Sequence, residues 1–268
     1  MIPYVLISVC SVFPLYDLLF KVIVLTHRRN YIINVKVKCE LIVNLNILYS
    51  DKDILVVEKP AGVAVQTAKL TEKDMVSEIK NHLSIINKKP DPYLGIIHRL
   101  DQPVRGILVF ALNEKAASRL SKQISTGSFN KFYHAYVTGY MEKSDEWMTL
   151  TDYLIKDKDN KAGIVNINDK NAKKAELKYR ILKAEREKNV SLLDIELITG
   201  RFHQIRVQLS HIGHPILNDV KYGADKYLAL NNERAIALCA YRLSFKHPET
   251  GREMEFSISE SFSDDNIM

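Results

Sequence analysis

Short apolar runs parted by turn-forming residues recur along most of this chain, and that rhythm limits what it can fold into. Asn46 to Tyr49 and Ile54 to Glu58 flank Ser50-Asp51-Lys52-Asp53, which predicts a hairpin. Ala175 to Ala184 and Val190 to Thr199 predict another around Glu185 to Asn189. In Leu193-Asp194-Ile195-Glu196-Leu197 the alternation buries one face and wets the other. Ile236 to Phe245 and Arg252 to Ile258 make a third pair about His247-Pro248-Glu249-Thr250-Gly251. Gly106 to Leu112 and Lys131 to Gly139 read as further strands. Two clear helices interrupt them. Thr71 is placed to cap one whose apolar positions are Met75, Ile79 and Leu83. Asn113 is placed to cap the other, with Ala116, Ala117, Leu120 and Ile124 on one side and a stop near Gly127. Strands outnumber helices and hairpins join them, so the expected class is α+β with a largely antiparallel sheet.

The 268 residues are 46% hydrophobic and 26% charged, enough for a core that needs no disulfide or metal staple. Cys10, Cys39 and Cys239 lie far apart, which suggests neither a disulfide framework nor a zinc site. A net charge of +6 favours a polyanionic partner. Residues 1–44 form an atypical extension. Met1 to Leu25 is mostly apolar, but Pro3, Pro14, Asp17 and Lys21 break it, so neither a signal peptide nor an uninterrupted membrane span is written there. Tyr31 to Val43 alternates as a strand does. Residues 142–175 read as a polar, turn-rich stretch, either a solvated face or a basic lip for nucleic acid.

Two stretches carry candidate chemistry. Leu94 to Leu100 reads as a strand that stops at Asp101, because Gln102-Pro103 cannot continue a ladder. By itself Asp101 would be a turn residue. Gly200 to Gly213 reads as a short helix directly after a strand, with Ile205, Leu209 and Ile212 on one stripe and His203, Arg206 and Ser210 on another. Arg201 at its start and Arg206 one turn on suit an anion or phosphate. His203, His211 and His214 do not have the spacing of a metal motif.

Taken in order, Ile54 to Gly62 (ILVVEKPAG), Ile97 to Asp101 (IHRLD), Gly106 to Ala111 (GILVFA), Lys131 to Gly139 (KFYHAYVTG), Thr199 to Pro215 (TGRFHQIRVQLSHIGHP) and Asp219 to Gly223 (DVKYG) resemble the RluA-type pseudouridine synthases. The resemblance covers roughly Leu48 to Ser257. It implies a catalytic domain over residues 45–268, built on a bent, mostly antiparallel or mixed sheet with a central cleft flanked by helices. It implies isomerisation of uridine to pseudouridine in structured rRNA or tRNA. The family's catalytic Asp falls on Asp101, its aromatic partner on Tyr133 and its Arg on Arg206. Arg99 matches the Arg that helps displace the target base. Substrate contacts would come from Arg99, His98, Arg105, Arg201, His203 and Gln204, with the Lys-rich 156–174 loop adding phosphate contacts.

The chain departs from the family at Val104-Arg105, Phe202, Asn218 and Cys239, which bears on which RNA is read. Many members carry an S4 RNA-binding domain. Residues 1–44 contain none, so the catalytic domain is expected to grip RNA alone. The reaction breaks a C–N glycosidic bond and rejoins the base through carbon. It is redox-neutral, and no metal or cofactor is expected. Attack at C1′ of the sugar or at C6 of the base stays open. A cytoplasmic monomer with no DNA or membrane partner is the expected setting.

Overall fold

The computed structural model describes residues 5–8, 18–25, 30–37, 45–68, 72–88, 90–224 and 235–259. They fall into two compact units, Met1–Asn44 and Leu45–Met268. The first holds an antiparallel meander of β1 (Val5–Ser8), β2 (Leu18–Leu25) and β3 (Asn30–Val37). Strand β3 overlaps the stretch from Tyr31 that alternates in sequence.

The second unit is built on one eleven-stranded sheet. Its strands are β4 (Asn46–Ser50), β5 (Ile54–Lys59), β6 (Gly95–Ile96), β7 (Arg105–Ala111), β8 (Asn130–Thr138), β9 (Ser144–Lys156), β10 (Ala162–Val165), β11 (Lys173–Glu185), β12 (Val190–Leu197), β13 (Leu238–Lys246) and β14 (Glu253–Ser257). The order across the sheet is β10-β9-β11-β12-β8-β13-β7-β5-β4, with β14 on β13 and β6 on β7. All pairs are antiparallel except β13 with β7, where Cys239 faces Arg105 and Ala240 faces Gly106. A Cβ on Gly106 would lie 2.4 Å from the Cβ of Ala240, so only glycine lets these two strands approach.

The central strands are buried on both faces. In β5, Ile54 and Val56 join one core while Leu55 and Val57 join the other. In β7, Ile107 and Val109 divide from Leu108 and Phe110 in the same way. This explains why both read as continuous apolar runs. Helix α1 (Met75–Asn87) covers one face with Met75, Ile79 and Leu83. Helix α2 (Glu114–Thr126) covers the other with Ala116 and Leu120. Asn113 caps α2 through the Ala116 N–H, and Gly127 ends it in the left-handed region. Asp74 caps α1 through the Ser77 N–H; Thr71, the cap expected there, lies outside the described residues.

Two other expectations change. Leu94 to Leu100 supplies only the two-residue strand β6, and His98 to Leu100 run as irregular chain into Asp101. The polar stretch 142–175 contains the thirteen-residue β9 and the short β10. Both lie at the outer end of the sheet, and β9 buries only Leu154 fully, so its buried stripe is weak in sequence. Helix α3 (Gln204–His211) follows β12, as expected.

Candidate active site

The centre of the sheet brings together side chains from elements far apart in sequence. Asp101 sits on the loop between β6 and β7, Tyr133 on β8, and Arg206 on α3. Arg206 is 5% exposed, so its stripe of α3 faces inward. Its fork is divided. Nε and Nη2 donate to the two oxygens of Asp219, at 2.7 and 2.8 Å, while Nη1 donates to Asp101 Oδ2 at 3.1 Å. Asp219 is 1% exposed and precedes the short 3₁₀ turn Val220–Tyr222. Burial alone would lower the Arg206 pKa, but Asp219 and Asp101 outweigh it and hold the guanidinium charged.

Burial raises the pKa of Asp101 above the ordinary carboxyl value, opposed chiefly by the Arg206 charge and hydrogen bond and then by Lys59. Tyr133 is 5% exposed and pairs with Ile195 across the sheet. Burial, and then the charge of Asp101, push its hydroxyl pKa well above the ordinary value, so the phenol stays protonated at neutral pH.

His203 begins α3 in the left-handed region, with φ +52°. Its Nδ1 lies 2.8 Å from the Tyr222 hydroxyl, and that oxygen accepts the Ala162 N–H at 2.8 Å. Tyr222 is buried, so its hydroxyl proton needs an acceptor, and His203 Nδ1 is the one in reach. The remaining proton of the neutral ring is then on Nε2, 3.7 Å from Asp101 Oδ2. Burial, helped by Arg206 and Lys221, takes the His203 pKa down to about 3, which keeps the ring neutral. Phe202 stacks on His203, with centroids 3.8 Å apart, and Lys156 lies 4.6 Å from the Phe202 ring centre.

Lys59 supports the loop from below. It is fully buried, and its ammonium donates to the carbonyls of Pro60, Val63 and Gln102. Burial pushes its pKa down to about 7, against the pull of Asp101. Gln102 also donates to the Gly62 carbonyl, so the turn after β5 and the Asp101 loop are tied together. Lys59→Met would keep the buried stem and leave three carbonyls unmatched. We expect a loss of about 2–5 kcal/mol in denaturant unfolding, with reduced turnover because Gln102 adjoins Asp101.

Other expected substrate contacts are placed differently. His98 packs edge-on against Phe129 of the α2-side core, and its Nε2 accepts the Val109 N–H. Arg105 pairs with Glu58 and donates to the Ser259 carbonyl. Gln204 is 3% exposed and fully engaged. Its Oε1 accepts from the Thr199 hydroxyl and the Arg201 N–H, and its Nε2 donates to the Glu176 carbonyl. All three have internal partners that tie them into the framework. Arg201 is exposed and donates to the Lys174 carbonyl, and Arg99 is exposed beside the buried Leu100. Asp219, Tyr222 and Lys59 had no role in the sequence reading, although each lies inside a quoted block.

Among the described residues, Asp51, Asp53 and His247 form a cluster of metal-ligating types. His247 Nδ1 accepts the Glu249 and Thr250 N–H groups, so Nε2 carries the proton that it donates to Asp51. The lone pair a metal needs is already used, and the cluster serves as a hydrogen-bonded clasp.

The family model for RNA pseudouridylate synthase matches residues 53–211, a span that contains Asp101, Tyr133 and Arg206. The chain belongs to the RNA pseudouridylate synthases. These are isomerases that turn uridine into pseudouridine in RNA, and similarity to named relatives places the chain in their RluA-type branch. It is 37% identical to an RNA pseudouridine synthase of Aquifex aeolicus, over 81% of this chain and 69% of the relative. It is 34% identical to ribosomal large subunit pseudouridine synthase D of Zymomonas mobilis, over 79% and 68%. Against tRNA pseudouridine synthase C of Vibrio vulnificus the identity is 32%, over 78% and 88%. A solved human protein, RNA pseudouridylate synthase domain containing 1, shares the fold at a TM-score of 0.66 and 22% identity, covering 85% of this chain and 89% of that one. Among the described residues, no helix is long and apolar enough to cross a membrane.

Proposed function

We propose that this synthase isomerises uridine in structured ribosomal or transfer RNA with Asp101 as nucleophile. The observation that carries the reading is the 3.1 Å contact from Arg206 Nη1 to Asp101 Oδ2, at a site that Tyr133 borders. Relatives named for large-subunit ribosomal RNA and for transfer RNA support the substrate class. The chain acts as a monomer on RNA, without DNA or membrane partner, in the cytoplasm, and uses no metal or cofactor.

In this reading the target uridine leaves its stack, at a few kcal/mol, and Arg99 fills the space. Tyr133 recovers about 1–3 kcal/mol by stacking on the base. The Asp101 carboxylate adds to the nucleotide, the C1′–N1 bond breaks, the uracil turns, and a C1′–C5 bond forms. C5 then loses its proton, N1 ends with one, and Asp101 leaves as the carboxylate. Because its phenol is held protonated, Tyr133 can take the C5 proton only while passing its own to a neighbour. The freed Asp101 carboxylate is that neighbour, and it passes the proton on to N1, which restores the carboxylate and balances the step. His203 Nε2–H steadies the same carboxylate, closing the 3.7 Å gap once substrate is bound.

Tritium release from RNA carrying 5-³H-uridine tests the reading. The native chain should release tritium from total cellular RNA, and Asp101→Ala should not. If the native chain releases none while still binding RNA, a catalytically silent RNA-binding protein is the better description. Tyr133→Phe separates stacking from proton transfer. We expect it to bind RNA as the native chain does and to stall with base-rearranged RNA on the enzyme; full turnover by this variant would end the proton role.

A further inference from the structure

Lys131 is the unexplained charge in the centre of the sheet. It lies on β8, two residues before Tyr133 and so on the same face of that strand, about 7 Å along it. It is 9% exposed. Lys59, the other deeply buried lysine, matches its three N–H groups to three carbonyls. The ammonium of Lys131 has no hydrogen bond and no carboxylate partner among the described residues. Its charge is felt by His98, a neutral ring whose pKa burial and then Lys131 take down to about 3.

What lies over the ammonium is glycine. A Cβ built on Gly200 would sit 3.3 Å from Lys131 Nζ, so any larger residue there would close the space above the charge. Gly200 belongs to a turn with little freedom, because Gln204 clasps both Thr199 and Arg201. The exposed Arg201 follows it at once. A buried, unpaired ammonium costs folding free energy, and natural chains avoid it unless something arrives to pair it.

We propose that Lys131 is an anion site for the RNA phosphodiester that adjoins the target uridine, kept open by Gly200 and flanked by Arg201. The site deepens the function proposed above and rests on Tyr133 being where the target base stacks. A phosphate joined to that base's ribose would come within reach of Lys131. The glycine allows the RNA backbone to approach, and the missing internal partner leaves the ammonium free to donate.

The test is Lys131→Met in the full chain, which keeps the buried stem and removes the charge. Binding to ribosomal RNA is measured by filter retention from about 50 to 200 mM salt, with thermal unfolding alongside. We expect about ten- to hundredfold weaker binding. The slope of log Kd against log salt should fall by about one, and Tm should hold or rise. Gly200→Ala should weaken binding in the same direction without lowering Tm. The site is overturned if Lys131→Met lowers Tm, which would mean an internal partner, or if the salt slope matches that of the native chain. Turnover of the same RNA by the native chain tests the underlying function separately: turnover beside an unchanged salt slope in Lys131→Met overturns this site alone, and a native chain that neither binds nor turns over the RNA overturns both.

Discussion

Replacing Asp101 by Asn should abolish tritium release and leave the protein as stable as before or slightly more so. The two effects have one cause. Burial raises the pKa of Asp101 despite Arg206, so ionising this carboxyl inside the fold is unfavourable relative to the unfolded chain. A carboxyl with a raised pKa favours the folded state below its unfolded value, near 3.9, and withdraws that support as pH rises through the folded value. At neutral pH the native chain bears that cost and Asn does not. Arg206 keeps both hydrogen bonds to Asp219, so no cation is stranded. The proposed nucleophile is the carboxylate form, so the acid limb of the native pH–rate profile should lie above the ordinary Asp range. Thermal unfolding of Asp101→Asn and the native profile check the two halves independently. A destabilised Asp101→Asn would mean that Asp101 is a structural ion-pair partner first.

Arg206→Met should be the most destabilising single change at the site. It removes both charge-assisted bonds from Asp219, which is 1% exposed and has no water to turn to, and it leaves Asp101 without its cation. Breaking a buried pair from one side costs about 3–5 kcal/mol. At about 2–4 °C per kcal/mol for a chain of this size, Tm should fall by roughly 6–20 °C. Turnover should be lost as well, because the Asp101 pKa rises further once Arg206 no longer opposes burial. The double variant Arg206→Met with Asp219→Leu should recover part of the stability and none of the activity, since it removes the stranded charge but not the need for a cation. Equal stability of the single and double variants would show that Asp219 was never stranded.

What could be seen in sequence divides by physical cause. Hairpins with clean alternation and strong turn residues, such as β11–β12 and β13–β14, follow their predicted spans closely because local pattern and tertiary burial agree. Strand β9 is hard to read from sequence because only Leu154 of its residues is fully buried and its first residues are polar and exposed, so its alternation is weak. The irregular chain at His98 to Leu100 continues the apolar run of Leu94 to Ile97 into Leu100, which packs in the core without strand pairing. Asp101, Tyr133 and Arg206 stood out only as members of ordered blocks, and the structure draws those blocks together. The supporting residues did not stand out. Asp219 resembles any loop acid and Lys59 any strand-end lysine until burial and hydrogen bonds are known. For the same reason the internal partners of His98, Arg105 and Gln204 are not legible in sequence.

The place of β13 sets an order of assembly. Asp101, Tyr133, Arg206 and Asp219 have all left the ribosome well before Leu238 to Lys246 do, yet that late strand lies between β8 and β7 in the finished sheet. Until it arrives, the half carrying Asp101 and the half carrying Tyr133 share no strand pairing. The nascent chain thus holds every reactive group while lacking the seam that joins them. Strand pairing between the two halves therefore waits for β13, which follows all four of these residues in the chain.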